Sequence, residues 1–179
     1  DTNKLLTGEL FEINETALKI ASLDGHRISI RNATLKEAYE TIKVVVPGKT
    51  LSEVSKILTG NLEDEIRIYF TTNHILFEFH QTIVVSRLIE GEYFKINQMI
   101  STDYETKVTI NKKEMLNCID RAILLVKEGE KKPIILNITD HEMELKIHSS
   151  IGTIEKKIDI RKEGKDIMIG FNPRFMIDS

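Results

Sequence analysis

A repeated order of elements constrains this chain more than any single motif does. Tyr39-Glu40-Thr41 precedes an apolar, strand-like run at residues 42–46. Tyr104-Glu105-Thr106, 65 positions on, precedes another at residues 107–110. The first run leads into residues 50–58, where Leu51, Val54, Ile57 and Leu58 share one helical face and Gly60 supplies a stop. The second leads into Met115, Leu116, Ile119, Ala122 and Ile123 at the same spacing. β-Rich runs follow each helix: residues 66–70, 75–79 and 83–88 after the first, and 133–138, 142–148, 153–158 and 167–171 after the second. A strand, a helix and at least three strands, repeated, predicts an α+β fold with helices on one face of largely antiparallel sheets. Ahead of the first unit, residues 10–13, 18–22 and 27–31 are expected as short strands, parted by turns at Asn14-Glu15 and Asp24-Gly25. Residues 90–103 are the expected connection, dividing the chain into 1–100 and 101–179.

Composition narrows the function. With 41% hydrophobic and 30% charged residues, the 179-residue chain has the make-up of an ordinary globular protein. Its net charge of -3 excludes a uniformly basic nucleic-acid binder, yet the charge is unevenly spread. Residues 48–60 carry Lys49 and Lys56 against Glu53, or +1. Residues 112–127 carry Lys112, Lys113, Arg121 and Lys127 against Glu114 and Asp120, or +2, which leaves -6 elsewhere. Basic helices on an acidic body suit a sequence-blind track for phosphates, and equally suit solvated helix faces. The single cysteine, Cys118, permits neither an intrachain disulfide nor a cysteine-held zinc. The apolar run at 122–126 is far short of the ~20 residues that span a bilayer, and no signal peptide opens the chain. A reduced, cytoplasmic setting with no membrane partner is expected.

No reaction centre emerges. Gly48-Lys49-Thr50 stands between strand and helix, where a phosphate loop would sit, but Lys43 occupies the position of that loop's first glycine. Asp24 and His26 could be paired as orienting acid and general base, although neighbours in a tight turn rarely face each other and no serine or second carboxylate joins them. His74, His80, His141 and His148 lack the helical spacing that gathers metal ligands. Glu63-Asp64-Glu65 suits a solvated loop, and Cys118 a small core residue. Neither a cofactor nor a metal is expected.

Four segments carry a resemblance. Leu23-Asp24-Gly25-His26-Arg27-Ile28, Val44-Val45-Val46-Pro47-Gly48-Lys49, Ser86-Arg87-Leu88-Ile89-Glu90-Gly91-Glu92-Tyr93 and Ile169-Gly170-Phe171-Asn172 occur in the order and spacing of the bacterial sliding clamp. The sequence resembles that family, the β subunit of the replicative DNA polymerase III. It departs at Phe94, where the family has proline, and at Lys95, where it has aspartate. The resemblance implies a DNA-clamp fold built of strand-helix-strand-strand-strand half-domains, with the later part of the middle domain at 1–100 and the earlier part of the C-terminal domain at 101–179.

It further implies a processivity factor with no catalysis of its own. The family closes as a homodimeric ring around double-stranded DNA. Partners are the DNA polymerase III α subunit, the clamp loader and other proteins with a clamp-binding motif. They dock by a short peptide in a hydrophobic pocket. Carried over by position, that pocket draws on Leu6, Leu23, Gly25, His26, Arg27, Ile28, Phe94, Gln98 and Met99, with Asn172 and Phe175. Exposed apolar side chains beside the Gly25 turn would suit an extended peptide. Lys49, Lys56 and Arg121 would face DNA, and Leu124 and Leu125 a second subunit. The missing initiator Met, and a closing helix begun by Asn172 and Pro173, lead to the expectation of a piece truncated at both ends and unable to close the ring alone. Two alternatives stand beside this reading: a peptide-binding module without a DNA role, and a hydrolase using Asp24 and His26.

Overall fold

A computed structural model describes residues 3–58, 64–100, 102–126 and 132–177, which group into two compact units, Asp1–Ile100 and Ser101–Ser179. The first opens with a 3-10 turn, Lys4–Thr7, whose first free amide, Leu5 N, donates to the Asn3 side chain at 3.1 Å. Two long strands follow, β1 (Gly8–Leu23) and β2 (Ile28–Pro47), paired antiparallel from Gly8↔Pro47 to Leu23↔Ile28. Next come α1 (Gly48–Ile57), the three-stranded meander β3 (Arg67–Phe70), β4 (His74–Phe79) and β5 (Thr82–Arg87), and the single-turn α2 (Ile96–Met99).

The expected turn at Asn14-Glu15 lies instead within β1, opposite bulged residues of β2. The register shifts between Ile13 and Glu15 and again between Glu15 and Ala17, and Glu15 takes up the strain at φ 53°. Residues 35–38 bow out opposite Thr16, and the ladder resumes on either side. Four expected short strands therefore merge into two long ones. Asp24-Gly25 does form the turn between them, with Gly25 at φ 85°, a conformation other residues adopt reluctantly.

Because strand side chains alternate, adjacent residues of this hairpin enter different cores. Phe11 and Val46 pack with Val54 of α1, Ile75, Phe77 and Phe79 of β4, and Leu88. Leu10 and Val45 face the other way, onto Ala21, Leu23, Tyr93 and Ile96. An isolated bridge, Val45↔Ile89, with Ile89 N donating to Val45 O at 2.9 Å, holds the segment after β5 against that second face. On α1, Val54 is buried and Leu51 half-buried, whereas Ile57 and Leu58 stay exposed because the backbone turns extended at Leu58. The expected stop, Gly60, lies outside the described residues.

The second unit runs β6 (Thr106–Ile110), α3 (Lys112–Ile123), β7 (Ile134–Ile138), β8 (Glu142–Ser149), β9 (Gly152–Gly164), β10 (Ile167–Phe171) and α4 (Pro173–Ile177). Its five strands are ordered β10-β7-β8-β9-β6, every neighbouring pair antiparallel. Strand β9 extends beyond the expected 153–158 because its first half pairs with β8 and its end with β6. Asn111 caps α3, accepting from the amides of Lys113 and Glu114 at 3.0 and 3.2 Å. Cys118, Ile119 and Ala122 then cover a core of Ile134, Leu136, Leu145, Ile147 and Ile158, with Cys118 a buried free thiol. Among the described residues no helix is long and apolar enough to cross a membrane.

Candidate functional site

The Asp24–Arg27 turn is held by its own side chains. Asp24 Oδ1 accepts from the amides of His26 and Arg27 at 3.1 and 3.2 Å, and Arg27 Nε donates to Asp24 Oδ2 at 2.8 Å. The Arg27 guanidinium, helped by the His26 amide, holds the Asp24 carboxyl below the usual carboxylate range. Both oxygens are thus committed to shaping the turn, and this geometry does not favour an acid orienting a base.

Of the nominated pocket residues, Leu6, Leu23, Ile28 and Phe94 meet in the core under the segment after β5. Leu23 departs from expectation: it is only 7% exposed, a core residue rather than a surface side chain. Its position at the end of β1, on the Ala21 face, directs it inward. Leu6, Ile28 and Phe94 are half-buried over it, while Gln98 and Met99 are exposed on α2, Met99 at 50%. The Tyr93 and Phe94 rings pack edge to face, 5.6 Å apart at 81°. In the second unit, Asn172 Oδ1 accepts from the amide of Arg174 at 3.0 Å and starts α4, and Phe175 is half-buried.

Sequence reasoning overlooked the support beneath this surface. Tyr93 and Ile96 are buried within residues 90–103, which lack a clear periodicity. The one available signal was their apolarity between two charged or turn-rich stretches.

Lys49 and Lys56 are exposed on α1, seven residues apart and hence within roughly 20° of one another around the helix, facing away from buried Val54. Lys56 donates to Glu53 Oε1 at 2.8 Å. On α3, Arg121 is exposed but flanks the surface opposite the buried residues, a surface centred on Lys113 and Asn117. Within their observed bounds α1 and α3 each hold +1, because α3 ends at Ile123, short of the expected 127. The helical charge is therefore +2 rather than the expected +3. Leu124, just past α3, is 78% exposed, whereas Leu125 packs against the core.

Each unit also has an open groove, one of about 550 Å³ beside the irregularity in the β1–β2 ladder, the other of about 420 Å³ on β7 to β9. Among the described residues, no three His, Cys, Asp or Glu side chains converge as metal ligands would.

Two units of antiparallel sheet, each covered by a helix after the same leading strand, place the chain in the class of DNA-clamp folds. Residues 1–95 match the family model for the DNA polymerase III beta subunit, central domain, and residues 97–179 the model for its C-terminal domain. The chain belongs to the DNA polymerase III beta subunit family, as its four sequence segments had suggested. It is 36% identical over 181 residues to the beta sliding clamp of Staphylococcus aureus, covering 100% of this chain and 48% of that protein. A crystal structure of a DNA polymerase III beta subunit from Eubacterium rectale matches at 67% identity and TM-score 0.95, covering 99% of this chain and 48% of that one. The Bacillus subtilis sliding clamp matches at 34% identity and TM-score 0.93, with the same coverage. The chain thus spans about half the length of the relatives it matches.

Proposed function

We propose that this chain serves in a processivity clamp, holding a replicative polymerase on duplex DNA without catalysing a reaction, and that Leu6, Arg27, Ile28, Phe94, Gln98 and Met99 form a docking surface for a partner's peptide. The observation that carries the docking reading is that Leu6, Ile28 and Phe94 are half-buried over one core, and that exposed Met99 stands three residues past Ile96, which is buried in that same core. Such a surface offers apolar area and few converging polar groups, which suits an extended peptide better than a small polar substrate. Gly25 and His26 flank it on the turn, and buried Leu23 supports it from below. On the second unit, Asn172 and Phe175 are proposed separately as peptide contacts.

Lys49, Lys56 and Arg121 are proposed to face the phosphate backbone, and exposed Leu124, with Leu125 behind it, to meet a second subunit in a ring. The polymerase α subunit and the clamp loader are the proposed partners, in the cytoplasm. The test is a fluorescence titration of a labelled peptide, a Gln followed by a short Leu/Phe-rich end. Saturable binding weakened by Met99→Ala and untouched by Glu92→Ala supports the reading; equal binding by all three proteins sinks it.

A further inference from the structure

We propose that Lys19 is a positioning residue for α2, holding Asn97 and thereby fixing where Gln98 and Met99 stand; its functional consequence rests on the docking reading above. Helix α2 is four residues long, and no side chain caps it at Lys95. A single turn has too few internal hydrogen bonds to persist alone. Ile96, 2% exposed among Leu10, Ala21 and Leu23, anchors it at one point. One apolar anchor leaves rotation about that point open.

Lys19 supplies a second point. Leu23, Ala21 and Lys19 are alternate residues of β1 and so line one face of the hairpin, the face that packs Ile96. Where this row leaves the core, Lys19 Nζ donates to Asn97 Oδ1 at 2.8 Å. Glu12 Oε2 lies 3.4 Å from the same ammonium, and the Lys19 side chain is only 22% exposed. A flexible side chain held by two partners is ordered, and its charge strengthens the bond to the carboxamide. With Ile96 and Asn97 both fixed, the next two residues, Gln98 and Met99, have a defined direction.

The experiment uses the full chain, labelled with nitrogen-15. The Gln98 amide donates to Lys95 O at 2.9 Å, and its hydrogen exchange reports whether the turn is held. Lys19→Met keeps the stem and removes the donor; it should speed that exchange, and weaken the peptide of the preceding titration, by about 3- to 10-fold each. Asn97→Asp keeps an acceptor and should retain the slow exchange and the affinity, which loss of packing would not allow. In a Met99→Ala background, Lys19→Met should cost little further affinity. Unchanged Gln98 exchange in Lys19→Met overturns the proposal whether or not the peptide binds. Faster exchange with unchanged affinity overturns its functional half. Faster exchange in a protein whose wild type binds no peptide upholds the positioning role and rejects the docking reading instead.

Discussion

The hydroxyl of Tyr93 donates to the carbonyl of Gly8 at 3.2 Å, joining the start of β1 to a segment 85 residues later. Other neighbours also crowd Gly8, where there is no side chain to displace them. A Cβ there would meet Ile89 Cδ1 at 2.7 Å, Val45 Cγ1 at 2.8 Å and Val46 O at 2.9 Å. Tyr93→Phe should destabilise the first unit by about 1 kcal/mol, and Gly8→Ala by about 1–3 kcal/mol through overpacking. Burial raises the Tyr93 pKa above its ordinary 10.0, so the folded state keeps its proton where the unfolded chain loses it. Stability should therefore fall as pH climbs above about 10, and fall less in Tyr93→Phe. Thermal denaturation across that range checks both.

The Asp24–Arg27 pair makes a prediction of opposite sign. The folded carboxyl is held low by Arg27, so the stability it adds is present above the unfolded pKa and is lost as pH drops through the folded one. The protection of the His26 and Arg27 amides, taken against the intrinsic exchange rate at each pH, should fall in acid, and at neutral pH in Asp24→Ala, while β4 keeps its protection. Arg27→Ala should loosen the turn and weaken peptide binding without unfolding the unit. An intact, slowly exchanging turn in Asp24→Ala would contradict the assignment.

Leu23 and Met99 should part company under mutation. Leu23 is 7% exposed, so Leu23→Ala should cost about 2–4 kcal/mol of stability, and any binding it loses would be confounded with unfolding. Met99 is 50% exposed, and Met99→Ala should leave the melting temperature within a degree or two while weakening the peptide several-fold. Calorimetry beside the titration separates the two effects.

Duplex DNA should bind this chain weakly, at about 10⁻⁴ to 10⁻⁶ M and only at low salt, because the proposed contacts Lys49, Lys56 and Arg121 act on a chain whose net charge is -3. Lys49→Glu with Arg121→Glu should abolish even that and flatten the salt dependence. Filter binding at two salt concentrations measures it; sequence-specific, salt-insensitive retention would refute the electrostatic account.

The order of elements was legible in the chain itself, because period-3.6 and period-2 patterns alternate cleanly through residues 42–88 and 107–171. The Asp24-Gly25 turn and the Asn172 start of α4 were legible for the same kind of reason, since their chemistry is local. What tertiary structure alone decided is which polar pairs end a strand and which are absorbed by it. Asn14-Glu15 has the composition of a turn, yet the ladder to β2 continues past it, with the bulge on β2, since cores on both faces hold the strands together. Tertiary packing likewise turned Leu23 inward, buried Tyr93 and Ile96 beneath an unpatterned segment, and brought Lys19 to Asn97 across 78 residues. A one-dimensional pattern records which face a residue occupies. Only the folded hairpin, apolar on both faces, determines what each face meets.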